Sequence, residues 1–275
     1  MENLHFSDSA FFNIGLCGAF MILIPAVLLI IFKIKTKAPI APVIAGAVTF
    51  FLFAIVLKSP LAYLLYQFDS PVSEAINSSP LLYYMIAGLL AGIFEETGRF
   101  LAFKTALKKY DGKINSLAYG IGHGGFESIY IAVSVLSFIP LGIMINSGDT
   151  AQLTQGLSQE SEAAAIQQIS QYASMTTEYA LLSIIERISV IAIHISLSVL
   201  VFKAAREKSR FWLYPLAVLI HALIDFSIVL SSYGMPLWGV EIILAVMSFT
   251  LLILSIRLVY KRTENSDISE HISDD

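Results

Sequence analysis

Long apolar runs recur along the chain, separated by short polar and basic stretches. Seven of them stand out, at about 11–32, 40–57, 80–106, 116–146, 179–202, 211–231 and 237–259. A bilayer core of roughly 30 Å takes about 20 helical residues, so each run predicts a membrane-crossing helix. The stretch Pro60–Phe68 is too short to span and is expected to lie at the interface or to re-enter. Deep polar residues are concentrated on four consecutive runs, between about 80 and 231. The fold expected is therefore an all-α polytopic membrane helix bundle of about seven transmembrane helices with a four-helix catalytic core.

Composition agrees with that pattern. The 275 residues are 56% hydrophobic and 14% charged, with a mean hydropathy of +0.75, whereas soluble domains carry about 25% charged residues. Nothing in the charge pattern points to nucleic acid. Cys17 is the sole cysteine and lies in the first apolar run, so it has neither a disulfide partner nor metal-site spacing. Glu2 and Asp8 precede the first run without any Lys or Arg, the wrong flank for a cleaved secretory signal. Residues 1–262 are read as one transmembrane domain. Residues 263–275 are read as an acidic, disordered cytoplasmic tail.

Basic residues orient the helices. Lys33, Lys35 and Lys37 follow the first run, and Lys104, Lys108, Lys109 and Lys113 the third. Lys203, Arg206, Lys208 and Arg210 follow the fifth, and Arg257, Lys261 and Arg262 the seventh. These are fourteen of the 17 basic residues, and seven crossings put all of them on one face. A multi-pass protein of the cell membrane is expected, with its N-terminus outside, its C-terminus cytoplasmic and Lys58 on the outer side. The loop 147–178 is then extracytoplasmic. Its part Glu162–Met175 has helical character, with Ile166, Ile169 and Tyr172 near one face, and reads as a surface helix or as a lid.

The third run is interrupted by Glu95, Glu96 and Arg99, charges that cost on the order of 3 kcal/mol each at membrane depth. At about 1.5 Å per residue from each basic flank, Glu95 lies about 14 Å deep, His123 about 15 Å, His194 about 14 Å and His221 about 16 Å. One glutamate pair and three histidines thus share a layer. Glu127 is four residues beyond His123 and Asp225 four beyond His221, each on its histidine's face. Arg187 is seven before His194 on one face, with Glu186 beside it. Arg99 is four beyond Glu95 and three beyond Glu96, placed to neutralise one of them.

Three readings compete for this set. A metal site wants imidazoles and carboxylates converging from facing helices, each histidine oriented by a neighbouring acid. A proton or ion pathway uses the same residue types. The third reading is a buried polar network that only holds helices together. Gly88, Gly92, Gly120, Gly122, Gly124 and Gly125 fit close helix packing, which all three readings need.

The order Glu-Glu-x-x-Arg, Gly-His-Gly-Gly-Phe-Glu, Glu-Arg with a histidine seven beyond, and His-x-x-x-Asp resembles the YhfC family. These are bacterial membrane proteins regarded as intramembrane metalloproteases. They are related to type II CAAX prenyl proteases, to bacteriocin-processing and immunity membrane proteins and to PrsW-like proteases. The resemblance covers roughly residues 85 to 230. It places Glu95, Glu96 and Arg99 in the first motif, His123 and Glu127 in the second, and His221 and Asp225 in the last. CAAX-type enzymes have three residues between Glu-Glu and Arg, whereas this chain has only Thr97 and Gly98. That turns the arginine by about 100° and speaks against CAAX substrates.

The function expected is endoproteolysis of a membrane-associated peptide or protein within the bilayer. Glu95 or Glu96 would be the base that takes a proton from water, or would activate it without metal, and Arg99 would hold the other glutamate. His123, His194 and His221 would hold Zn²⁺, with Glu127, Asp225, Arg187 and Glu186 as orienting groups or alternative ligands. The alternatives are a proton-coupled membrane carrier and an inert immunity or scaffold protein built on the same residues.

Overall fold

In lipid a backbone has no water to bond, so each apolar segment satisfies its own N–H and C=O groups as a helix. A computed structural model describes residues 4–148 and 159–260, with the side chains of 4–148 and 162–257. All regular structure among these residues is helical. In chain order the helices are α1 (Asp8–Thr36), α2 (Ala41–Thr49), a π-helical stretch (Phe50–Leu57), α3 (Lys58–Tyr66), α4 (Pro71–Asn77) and α5 (Pro80–Lys104). There follow α6 (Ile114–Leu136), α7 (Phe138–Asn146), α8 (Gln159–Ala173), α9 (Thr177–Arg206), a 3₁₀ turn (Lys208–Arg210), α10 (Leu213–Phe226), α11 (Val229–Ser232) and α12 (Leu237–Tyr260).

Six helices among the described residues are long and apolar enough to cross a membrane, or up to seven if α4 and α5 count as one span bent by 107°. The protein is a polytopic helical membrane bundle. Its bent span is the one that carries Glu95, Glu96 and Arg99. The tail expected to be disordered, 263–275, and the first part of the outer loop lie outside the described residues.

One expectation fails. Pro60–Phe68 is not a separate interfacial piece, because Ala41–Tyr66 runs through as a single span of 26 residues. A proline inside a helix removes a hydrogen bond and presses its ring on the carbonyl four residues back. Here the π-helical stretch widens the winding just before Pro60, and the Lys58 N–H reaches back five residues to the Phe53 carbonyl. Helix ends follow ordinary chemistry. Ser79 caps α5 through the Leu82 N–H, with Pro80 in the first turn. Arg206 of α9 donates to the Phe103 and Leu107 carbonyls near the end of α5.

The chain divides into two compact units. The first takes the residues up to Ile24 together with Ser128–Arg187. Its core is Phe6, Ile14, Cys17, Met21, Ala132, Val135, Phe138, Ile145 and their neighbours. Asn146 exchanges two bonds of 2.9 Å with the Phe6 backbone, and Asn13 donates to the Met175 carbonyl at 2.8 Å. The expected helix of the outer loop is α8, which buries Ile169 and stacks Tyr172 on Phe138 with ring centroids 3.8 Å apart.

The second unit takes Pro25–Glu127 and the residues from Ile188 onward. Phe103, Leu107, Tyr119, Leu197, Val201, Leu213 and Ala217 lead its core. Glycines set the helix spacings there. A Cβ on Gly92 would stand 2.6 Å from the Val218 carbonyl of α10, and one on Gly122 would stand 2.0 Å from the Val43 carbonyl of α2. These contacts bring the helix backbones flanking the polar residues close together.

Candidate functional site

Helices α5 and α10, with the second-unit parts of α6 (up to Glu127) and α9 (from Ile188), each contribute to one buried cluster. Glu95, Glu96, Arg99, His123, His194 and His221 are all buried, as the shared depth implied. The four helices converge because glycine faces allow close approach and because each charge must find a partner away from lipid.

Glu96 is held on both oxygens. Its Oε1 lies 2.8 Å from Nδ1 of His221, and its Oε2 lies 3.1 Å from Nη1 of Arg99. Arg99 therefore serves Glu96, three residues before it, rather than Glu95. Its Nη2 stands 3.0 Å from Nδ1 of His194. A guanidinium only donates, so this nitrogen accepts, and the ring proton of His194 lies on Nε2. From there it donates to Glu127 Oε2 at 2.6 Å.

Glu95 takes a different set of neighbours. Its Oε2 lies 3.1 Å from Nε2 of His123 and 4.0 Å from Nε2 of His221. Its Oε1 faces Nζ of Lys58 at 3.5 Å. Asp225 Oδ2 stands 3.6 Å from Nε2 of His221, one helical turn along. The imidazoles pack on one another, with centroids 4.6 Å apart for His123 and His194 and 5.5 Å for His194 and His221.

Two features, at Glu127 and at Lys58, depart from the sequence pattern. Glu127 passes over His123, its neighbour on α6, and bonds His194 on α9. Lys58, assigned to the outer flank, reaches the cluster because its span continues past Pro60. Glu186 and Arg187 belong to the first unit, where Arg187 Nη2 donates to Glu186 Oε1 at 2.5 Å. Lys58 was missed because a single lysine before a proline reads as a helix end.

The ligand atoms that converge are those of Glu95, His123 and His194, which lie within 4.8 Å of one another. This group differs from the expected three histidines by one member. His221 stands beside it, with Nδ1 committed to Glu96. One carboxylate and two imidazoles suit a divalent transition metal with an open position. His123 Nδ1 is buried with no hydrogen-bond partner, so that ring can turn toward a ligand without breaking a bond at that atom. With the Nε2 proton given to Glu127, the His194 lone pair that could bind a metal is on Nδ1, so the set fits a metal once Arg99 yields that nitrogen, and the donors leave the kind of metal open.

A family model described as YhfC intramembrane metalloprotease matches residues 20–247. The chain belongs to the YhfC family. It is also 36% identical over 246 residues to the "Uncharacterized membrane protein YhfC" of Bacillus subtilis (strain 168), covering 88% of this chain and 93% of that one. No solved structure matches. The match to the YhfC family encloses every residue of the cluster, from Lys58 to Asp225.

Proposed function

We propose that this YhfC-family chain hydrolyses a peptide bond of a membrane-associated protein or peptide inside the bilayer. The observation that supports it is the buried convergence of Glu95, His123 and His194 beside a second set, His221, Glu96 and Arg99. Glu95, His123 and His194 would hold the metal, for which Zn²⁺ is the proposal. Bound there, it would supply Lewis-acid polarisation and a more acidic water.

The remaining chemistry belongs to the chain's own side chains. Glu96 accepts the Nδ1 proton of His221, which leaves the Nε2 lone pair of that ring as the base. Arg99 fixes Glu96 from the other side and so fixes the ring. His221 Nε2 and Glu95 Oε2, 4.0 Å apart, are too far for a direct bond and are within reach of one water between them. His221 takes a proton from that water as its oxygen bonds the carbonyl carbon. The same ring then returns the proton to the departing amide nitrogen as the C–N bond breaks. Asp225 lies close enough to His221 to stabilise the ring while it is charged. The expected reading in which Glu95 or Glu96 is the base is less favoured, because Glu96 is tied on both oxygens and Glu95 sits among the metal donors.

We also propose an N-terminus outside and a C-terminus in the cytoplasm, from the fourteen one-sided basic residues. Protein purified in mild detergent is expected to hold about one zinc per chain, lowered by His123→Ala. Reconstituted protein is expected to cleave quenched-fluorescent transmembrane peptides, and His221→Ala should abolish turnover while zinc is retained. A metal-free protein with a proton flux in liposomes, abolished by Glu96→Gln, would instead establish the carrier reading.

A further inference from the structure

Among the charged side chains of the cluster, most are sealed. Glu96 and Arg99 have no exposed side-chain surface, and Glu95 has 6%. Lys58 is 26% exposed and Asp225 is 40% exposed. Lys58 lies eight residues from the Tyr66 end of its span, about 12 Å along the helix axis. A lysine that meets lipid at that depth normally stretches toward the interface. Lys58 does the opposite, because its ammonium points to the buried Glu95. The ammonium has three protons to donate, and its contact with Glu95 Oε1 at 3.5 Å accounts for at most one of them, so a partly exposed lysine held inward calls for water beside its head.

The neighbouring positions sharpen the contrast. Phe51, Leu52, Val56 and Leu57 are exposed on the same span and apolar, which suits lipid. Lys58 follows directly where the wide π winding ends, and α3 then carries Ala62, one turn on and on its face. Lys58 is therefore a local polar point beside a lipid-facing surface.

We propose that Lys58 marks a hydrated entrance along one face of α3, by which water and a polar peptide segment reach Glu95. The water path stands whether the site hydrolyses or carries protons, and only the peptide as its user rests on the hydrolytic reading. Lys58 is the first charge an incoming carbonyl group meets, and an ammonium donates readily to such an oxygen. With its partner Glu95 behind it, the side chain has somewhere to return after release.

The test uses the full chain in open membrane sheets, so that both faces are reachable. The natural cysteine is removed by Cys17→Ser, and single cysteines are placed by Lys58→Cys, Ala62→Cys or Leu57→Cys. Each is treated with a charged, membrane-impermeant thiol reagent. A thiol in water ionises and reacts, whereas one in lipid does neither, so Lys58→Cys and Ala62→Cys should react about tenfold or more faster than Leu57→Cys. Ala62→Cys leaves the Lys58–Glu95 pair intact, so its labelling does not depend on how well Lys58→Cys folds. If both react no faster than Leu57→Cys, the entrance is refuted. Activity plays no part in this readout, so the hydrolytic proposal can fail while the entrance stands.

Discussion

Arg99 on α5 points one nitrogen of its guanidinium at Glu96 and another, at 3.0 Å, at Nδ1 of His194 on α9. A cation that never gives up its proton thereby sets the tautomer of a histidine two spans away. It also ties the two halves of the cluster, since Glu96 holds His221 while His194 stands with Glu95 and His123 in the group that could hold a metal. No part of Arg99 reaches the surface.

Removing that cation should be costly. Arg99→Met leaves Glu96 charged and buried without its counter-ion, which is expected to destabilise the fold by about 3–5 kcal/mol. Adding Glu96→Gln should recover much of the loss, because the amide oxygen still accepts from His221. Thermal unfolding of both variants in detergent checks this through a double-mutant cycle. Simple additivity of the two losses would show that the pair does not act as a unit.

Glu127 orients His194 through the 2.6 Å bond to its Nε2. In the metal-site reading, Glu127→Gln should lower metal affinity about 10–100-fold while the fold is kept. Titration against a competing chelator measures it. Unchanged affinity would remove Glu127 from the support of the site.

Helix spacing around the cluster gives a third expectation. A methyl group on Gly122 would meet the Val43 backbone carbonyl, which cannot swing aside. Gly122→Ala should therefore cost about 1–3 kcal/mol or more. Gly15→Ala, whose added carbon meets nothing within 4 Å, should be close to neutral. Equal melting shifts for the two would contradict the packing described.

Orientation is open to a direct check. A reporter inserted between α5 and α6, near Gly112, should be cytoplasmic. One inserted between α8 and α9, near Ser174, should lie outside. The reverse pattern would overturn the assignment drawn from the basic residues.

The helices were legible because the bilayer imposes one rule on every residue: polar groups are rare at depth and concentrate where helices meet. The same rule made the layer of Glu95, His123, His194 and His221 visible by counting along each helix. Pairing across helices was not legible. Spacing on α6 offered Glu127 to His123, yet the approach of α9 gave it to His194, and only backbone proximity decides between them. Spacing on α5 allowed Arg99 either glutamate, and the position of His194 fixed the choice of Glu96. Lys58 was hidden for a different reason. A proline two residues later ordinarily ends a span, and no apolar pattern announces that a wider winding will carry the helix past it.

That winding gives the second span slack in its length. A π-helical turn closes one residue later than an α-helical one, so Phe50–Leu57 holds more residues than an α-helix would need to keep the same faces in line. Losing one residue there would let ordinary α-helical turns take over, and the tighter winding would offset much of the rotation that the lost residue removes. Lys58 would stay near the side of the span that faces Glu95. The same loss from a stretch already wound as an ordinary α-helix has no such slack and turns everything beyond it by about 100°. The wide winding thus absorbs a change in length that would otherwise disconnect the site.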